Sequence, residues 1–146
     1  MTVNYRRLAR IHLENTKIQL DTHEDFNLHY AALELRMSME SLTYDRAIAY
    51  KDEFPPDEYQ TWQPQKIMSV LLEIDPRVDQ GSSIAIGAHD GVPPSKMTSL
   101  GTEVVLSMKI LKEHYHELGS YLHIQSMKKM DTSSTGGSLR NPYLRT

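Results

Sequence analysis

The chain has no cysteine among its 146 residues, which excludes disulfide bonds, thiolate metal ligands and cysteine nucleophiles. No apolar run approaches the roughly 18 residues that indicate a membrane span, and residues 1–10 lack the apolar segment of a secretory signal. The chain also lacks an excess of basic charge, because it has 16 basic and 19 acidic residues and therefore a net charge of −3. A nucleic-acid binder usually carries a basic excess, so contact with RNA or DNA would need a local patch. We therefore expect a cytoplasmic protein that binds no membrane.

Apolar periodicity predicts three helices in the first half of the chain, within a single domain. Residues 4–20 and 64–74 each place apolar side chains at helical spacing. Residues 26–51 carry two apolar rows, which predicts a central helix with a wide buried face and Asp25 as its N-cap. The rows are Leu28, Ala32, Leu35, Met39 and Leu42, and Tyr30, Leu33, Met37, Tyr44 and Ile48.

A fourth and longest helix is predicted from Gly101 to Lys129, with Ser99 in its N-cap position. Its apolar side chains step by four and three residues, which is typical of a seam packed against other helices. The seam consists of Val104, Met108, Leu111, Tyr115, Leu118 and Leu122. Gly119 lies inside this helix at a cost of up to about 1 kcal/mol relative to alanine, and it indicates a close approach by a neighbour.

Two segments interrupt the helical pattern. Residues 77–99 contain Gly81, Gly87 and Gly91 and are long for a loop in a compact domain. They could be a functional loop, a small hairpin with a strand at 83–86, or a mobile segment, and we expect a partly ordered excursion. Residues 131–146 are rich in Ser, Thr and Gly, which predicts a flexible tail or a linker to a further module.

The helical segments thus predict an all-α fold of four to five helices over residues 1–130, with one long irregular loop at about 77–99.

Among the seven histidines, His116 and His123 are the candidate catalytic pair. Seven residues place them two turns apart on nearly the same helical face, roughly 10 Å apart along the axis. That separation is too large for both to bind one zinc ion, and the sequence contains no HExxH, GxxxxGK[ST] or GxGxxG motif. We therefore expect no metal and no cofactor. The pair either transfers protons across a cleft or simply flanks the packing seam.

Glu34, Arg36 and Glu40 form a second candidate site on the central helix. Arg36 and Glu40 are four residues apart and could form only a helix-stabilising ion pair, worth a few tenths of a kcal/mol. If they face the histidine-bearing helix, they could instead position a phosphate or fix a histidine tautomer.

Two segments of the chain resemble HEPN-like (higher eukaryote and prokaryote nucleotide-binding) domains. Residues 30–40, YAALELRMSME, are similar to the early helix of that family, and residues 115–123, YHELGSYLH, to its late helix. The resemblance implies an up-and-down helical bundle that often dimerises. Such a domain is either a metal-independent RNase of toxin or phage-defence systems or an inactive binding module. The active motif of the family is an Arg, then four to six residues, then a His. His123 matches the histidine, whereas the position seven residues earlier is His116 and no arginine lies in the predicted last helix.

The missing arginine favours an interaction or regulatory module, dimeric through the His123 helix, in a prokaryotic defence or toxin–antitoxin-type system. A protein, an RNA or a nucleotide is its possible further partner. The alternative is a divergent metal-independent RNase that uses His123 and His116, with Arg36, Glu40 and Lys112 as binding or electrostatic support.

Overall fold

The computed structural model of the chain describes residues 2–55, 57, 63–87 and 96–122. Its elements are α1 (Tyr5–Asp21), α2 (Asn27–Ala49), α3 (Pro64–Ile74), β1 (Ser82–Ile86), β2 (Thr98–Glu103) and a last helix made of Met108–Ile110, a π-helical turn Leu111–Tyr115 and His116–Ser120. The chain is mainly helical, as predicted, but the fold is not all-α. A small two-stranded antiparallel sheet forms. Strand β1 lies within the predicted irregular loop, and β2 spans the end of that loop and the start of the predicted last helix.

Helix α1 packs against α2 through a small and polar face. Asn4 caps α1, because its side chain accepts a hydrogen bond from the Arg7 backbone N–H at 2.9 Å. The buried residues of α1 are Ala9, His12 and Thr16. Its predicted apolar side chains straddle this contact and are exposed: Ile11, Leu13, Ile18 and Leu20.

Helix α2 is central, as predicted, but both of its apolar rows are only partly buried. Ala32 and Met39 of the first row are buried, whereas Leu42 of that row is exposed. Three of the five residues of the second row also lie on the surface, namely Tyr30, Leu33 and Met37. Three hydroxyl residues are buried instead and donate hydrogen bonds to backbone carbonyls: Ser38 to Ala9, Ser41 to Met37 and Thr43 to Met39. The expected Asp25 N-cap is wrong, because Phe26 occupies the cap position without a side-chain hydrogen bond.

The core lies between α2, α3 and the last helix. Helix α3 begins and ends where the sequence predicts, with Pro64 in its first turn. Ile67, Met68 and Leu71 of α3 are almost completely buried, and Leu111 of the last helix packs in the same cluster.

Strands β1 and β2 pair from Ser82 opposite Glu103 to Ile86 opposite Thr98. The strand predicted at 83–86 is therefore confirmed as part of β1, whereas its partner β2 lies mostly beyond the predicted loop of residues 77–99. The register shifts between Ile84 and Ala85, and Gly101 has a φ of +143° at this irregularity, a conformation that favours glycine. Most side chains of both strands are exposed.

The predicted start of the last helix is wrong by seven residues. Gly101 belongs to β2, and Val104 follows that strand with 87% of its surface exposed, so it is not part of the seam. Ser107, rather than Ser99, caps the helix by accepting a hydrogen bond from the Ile110 backbone N–H at 3.2 Å. The cause is non-local, because pairing with β1 holds residues 98–103 in a strand. The expected extension to Lys129 and the tail at 131–146 lie outside the described residues.

Candidate functional site

Arg36 and Glu40 of α2 face the last helix and converge on Tyr115. The Tyr115 hydroxyl donates a hydrogen bond to Glu40 Oε1 at 2.6 Å, and the Arg36 guanidinium lies 4.3 Å from the centroid of the Tyr115 ring. Such a cation–π contact is worth about 0.5–2 kcal/mol, depending on desolvation. The predicted pair thus binds a shared aromatic partner on another helix.

Gly119 makes room for this arginine. A Cβ built on Gly119 would lie 2.7 Å from Arg36 Nη1, closer than real Cβ contacts allow. The close approach predicted at Gly119 is confirmed, and the neighbour is the end of a side chain. Arg36 Nε is buried there without a hydrogen-bond partner, so burial between Tyr115 and Gly119 leaves one donor unpaired.

Burial raises the pKa of Tyr115, and the hydrogen bond to Glu40 raises it further, while Arg36 acts in the opposite direction. Tyr115 is therefore a neutral phenol at physiological pH. It donates a proton to the hydrogen bond with Glu40 but is a poor acid in the catalytic sense. We interpret Arg36, Glu40, Tyr115 and Gly119 as a rigid packing contact between α2 and the last helix. This contact holds the Arg36 guanidinium beside Gly119.

His116 points towards α3. Its ring packs edge-on against Tyr115, with 5.8 Å between ring centroids, and its Nε2 lies 2.8 Å from Gln65 Oε1, to which it can donate. His116 and Lys112 are both exposed. His123 lies outside the described residues, so the pairing of His116 with His123 stays a prediction.

Glu34 does not join Arg36 and Glu40. Residues 34 and 36 point in nearly opposite directions on a helix, and Glu34 reaches α1, where its Oε2 accepts a hydrogen bond from His12 Nδ1 at 2.6 Å and from Asn15 Nδ2 at 3.3 Å. The sequence pattern does not predict this His12–Glu34 pair. Its only signal was a histidine that interrupts the apolar face of α1.

A cavity of about 420 Å³ lies on one side of α1 and α2, beside the segment that follows β2. Three arginines line it, namely Arg6, Arg10 and Arg46, together with Asp45 and Glu103. The remaining lining residues are Ala9, Leu13, Ser38, Leu42, Thr43, Ala49, Met68, Val104, Val105 and Leu106. We call this cavity the arginine pocket.

A second surface on α1 and α2 is apolar. It consists of six large side chains with between 38% and 59% of their surface exposed, and we call it the apolar strip. Its members are Ile11, Ile18, Phe26, Tyr30, Leu33 and Met37. Phe26 and Tyr30 pack edge to face, with 5.7 Å between ring centroids.

Within the residues that the structure describes, no group of three or more histidine, aspartate or glutamate side chains could hold a metal ion. None of the described helices combines the length and apolar composition that crossing a bilayer requires. No protein-family model, curated protein or solved structure matches the chain.

Proposed function

We propose that this chain is a helical interaction module that self-associates through the apolar strip of α1 and α2. The observation that carries the proposal is the exposure of six large apolar side chains on α1, on α2 and at the N-cap of α2. Contiguous apolar patches on the surface of a domain mark sites of protein association. Phe, Tyr and Met are also enriched in the cores of such interfaces.

Two helical rows that contain five of the six residues of the apolar strip carry no charged residue. On α1 the row is Leu8, Ile11, Asn15 and Ile18, and on α2 it is Tyr30, Leu33, Met37, Ser41, Tyr44 and Ile48. Charged residues make up 24% of the chain, so their absence from ten consecutive row positions is a distinct feature of this side. Tyr44 also lies 5.4 Å from the Tyr5 ring of α1, which brings the two rows to one side of the helix pair.

A second copy of the chain fits this surface best. A two-fold interface brings a patch against itself, so a patch without charge meets no like-charge repulsion. A partner with charged anchors would find no opposite charge in these rows. The resemblance to HEPN-like domains also implies dimerisation, although the proposed interface lies on α1 and α2 rather than on the helix predicted to carry His123.

The test compares two aspartate substitutions on α2 by light scattering and sedimentation equilibrium, from low to hundreds of micromolar. Leu33 is 42% exposed in the apolar strip, and Leu42 is 41% exposed on the arginine pocket. We expect a dimer for the parent and for Leu42→Asp, and a monomer for Leu33→Asp. A monomeric parent at every concentration, or equal weakening by both substitutions, would exclude the proposed interface.

One observation favours a second candidate, a metal-independent RNase. Arg36 lies against Gly119, so a guanidinium from α2 stands beside a helix whose described residues contain no arginine. In this candidate His116 and His123 exchange protons with a ribose hydroxyl and the leaving oxygen, and Arg36 and Lys112 bind phosphate.

Incubation with mixed RNA in EDTA tests this candidate. The variants are His116→Ala and His123→Ala, and the matched control is His114→Ala, whose exposed imidazole lies near only Glu113 and Glu117 among the described carboxylates. Loss of cleavage in the two variants but not in the control supports the RNase. Equal cleavage by all four proteins, or none by the parent, excludes it.

A further inference from the structure

The arginine pocket lies on the opposite side of α1 and α2 from the apolar strip. Leu13 lines the pocket and is two residues from Ile11 of the apolar strip, a spacing that turns side chains to opposite sides of a helix. The floor contains Met68 and Thr43, which are almost completely buried, and the wall beyond is the segment from Glu103 to Leu106. The volume, about 420 Å³, is within the roughly 300–1,000 Å³ typical of small-molecule sites.

The rim of the arginine pocket carries positive charge that its carboxylates do not balance. Arg6 is paired with Asp45 at 3.1 Å, and Arg46 approaches Glu103 only to 4.0 Å. Arg10 forms no ion pair with any residue that the structure describes. Three arginines and two carboxylates leave an excess of one positive charge, although the whole chain has a net charge of −3.

The walls of the arginine pocket include apolar side chains that stay partly exposed within the part of the chain that the structure describes. Leu13 and Leu42 are each 41% exposed, and Val104 on the lip is 87% exposed. The two hydroxyls of the lining donate elsewhere, Ser38 to the Ala9 carbonyl and Thr43 to the Met39 carbonyl. The interior therefore offers contacts for an apolar ligand body, while the donors for a charged head lie at the rim.

We propose that the arginine pocket binds a small monoanion with an apolar body, of the chemical class of a medium-chain carboxylate. The carboxylate lies between Arg10 and Arg46, where guanidinium groups bind such oxygens with paired N–H donors. The chain lies against Leu13, Leu42 and Val104 and removes their apolar surface from water. This binding site uses none of the residues of the apolar strip, so it stands or fails independently of the proposed dimer.

Calorimetric titration of the full chain with three probes of equal chain length tests the charge requirement. The probes are decanoate and the decyltrimethylammonium cation, each below its critical micelle concentration, and decanol below its solubility limit. We expect decanoate to bind at least about tenfold more tightly than the other two, since the excess charge of the rim favours only the anion. Equal binding of all three, or no binding of decanoate at its highest monomeric concentration, would overturn the proposal.

Three variants locate the site. The double variant Arg10→Gln with Arg46→Gln is expected to weaken decanoate binding by about tenfold or more, because both charged donors are lost. The matched control is Arg7→Gln, on the same helix but outside the lining, and we expect no change in its affinity. Val104→Asp places a negative charge on an exposed lip in a segment without regular structure, so it weakens binding without unfolding the protein, as circular dichroism will check. Equal loss in Arg7→Gln, or unchanged binding in the other two, contradicts the assigned site.

Discussion

The side chain of Tyr115 contacts Glu40, Arg36 and His116. Substitution by phenylalanine removes its hydroxyl and keeps the ring. In Tyr115→Phe the ring still packs under Arg36, but the partly buried Glu40 carboxylate loses its donor. We expect the free energy of unfolding to fall by about 1–2 kcal/mol at neutral pH, as measured by urea denaturation. Tyr30→Phe on the exposed side of α2 is the control, with an expected change within about 0.5 kcal/mol. Equal effects of the two substitutions would contradict this role of the hydroxyl.

The same substitution predicts a dependence on pH. Because the pKa of Tyr115 is raised above 10.0 in the folded protein, the folded state keeps this proton at pH values where the unfolded chain loses it. The stability that Tyr115 contributes is therefore complete below pH 10 and declines as the pH rises through the folded pKa. The difference in unfolding free energy between the parent and Tyr115→Phe should shrink above pH 10. A constant difference from neutral to strongly alkaline pH would contradict the raised pKa.

At the scale of the helix, the effect of Gly119→Ala on the free energy of unfolding should change sign when the Arg36 side chain is removed. Alanine normally stabilises a helix interior by about 1 kcal/mol relative to glycine. In the parent, however, Gly119→Ala must displace the Arg36 guanidinium from its place against Tyr115, so we expect a neutral or destabilising effect. In an Arg36→Ala background the space is free, and the same substitution should stabilise. A double-mutant cycle by thermal unfolding measures this, and stabilisation by alanine in both backgrounds would exclude the steric contact.

Local patterns predicted the helices best where local forces decide their limits. Helix α3 has a proline in its first turn and Asp75-Pro76 at its end, and both boundaries are correct. The helical spacing between Val104 and Met108 places the start of the predicted last helix at Gly101, seven residues too early. The residues around Val104 instead follow a strand that is held by pairing with Ser82 and its neighbours, a contact that no local periodicity contains.

The sequence predicts which residues of α2 belong to the candidate site better than it predicts the residues that they contact. The spacing of Arg36 and Glu40 placed both on one helical face, and Gly119 indicated a close neighbour. That Tyr115 would join them depends on how α2 and the last helix are oriented in space, and sequence periodicity does not determine this. The sequence does not predict the His12–Glu34 pair for a related reason. His12 only interrupts the apolar pattern of α1, and Glu34 lies outside both apolar rows of α2, so that neither pattern indicates the contact between the two helices.

For the molecule as a whole, stability is concentrated in the cluster between α2, α3 and the last helix, while the two strands contribute little buried surface. Two leucines give a matched comparison, since Leu71 of α3 is 0% exposed and Leu100 of β2 is 61% exposed. We expect Leu71→Ala to lower the unfolding free energy by about 2–5 kcal/mol, because it leaves a cavity in the core. Leu100→Ala should change it by no more than about 0.5 kcal/mol. Urea denaturation of both variants measures this difference. Similar losses of unfolding free energy in the two variants would mean that Leu100 is packed against the helices and that the sheet belongs to the cooperative core.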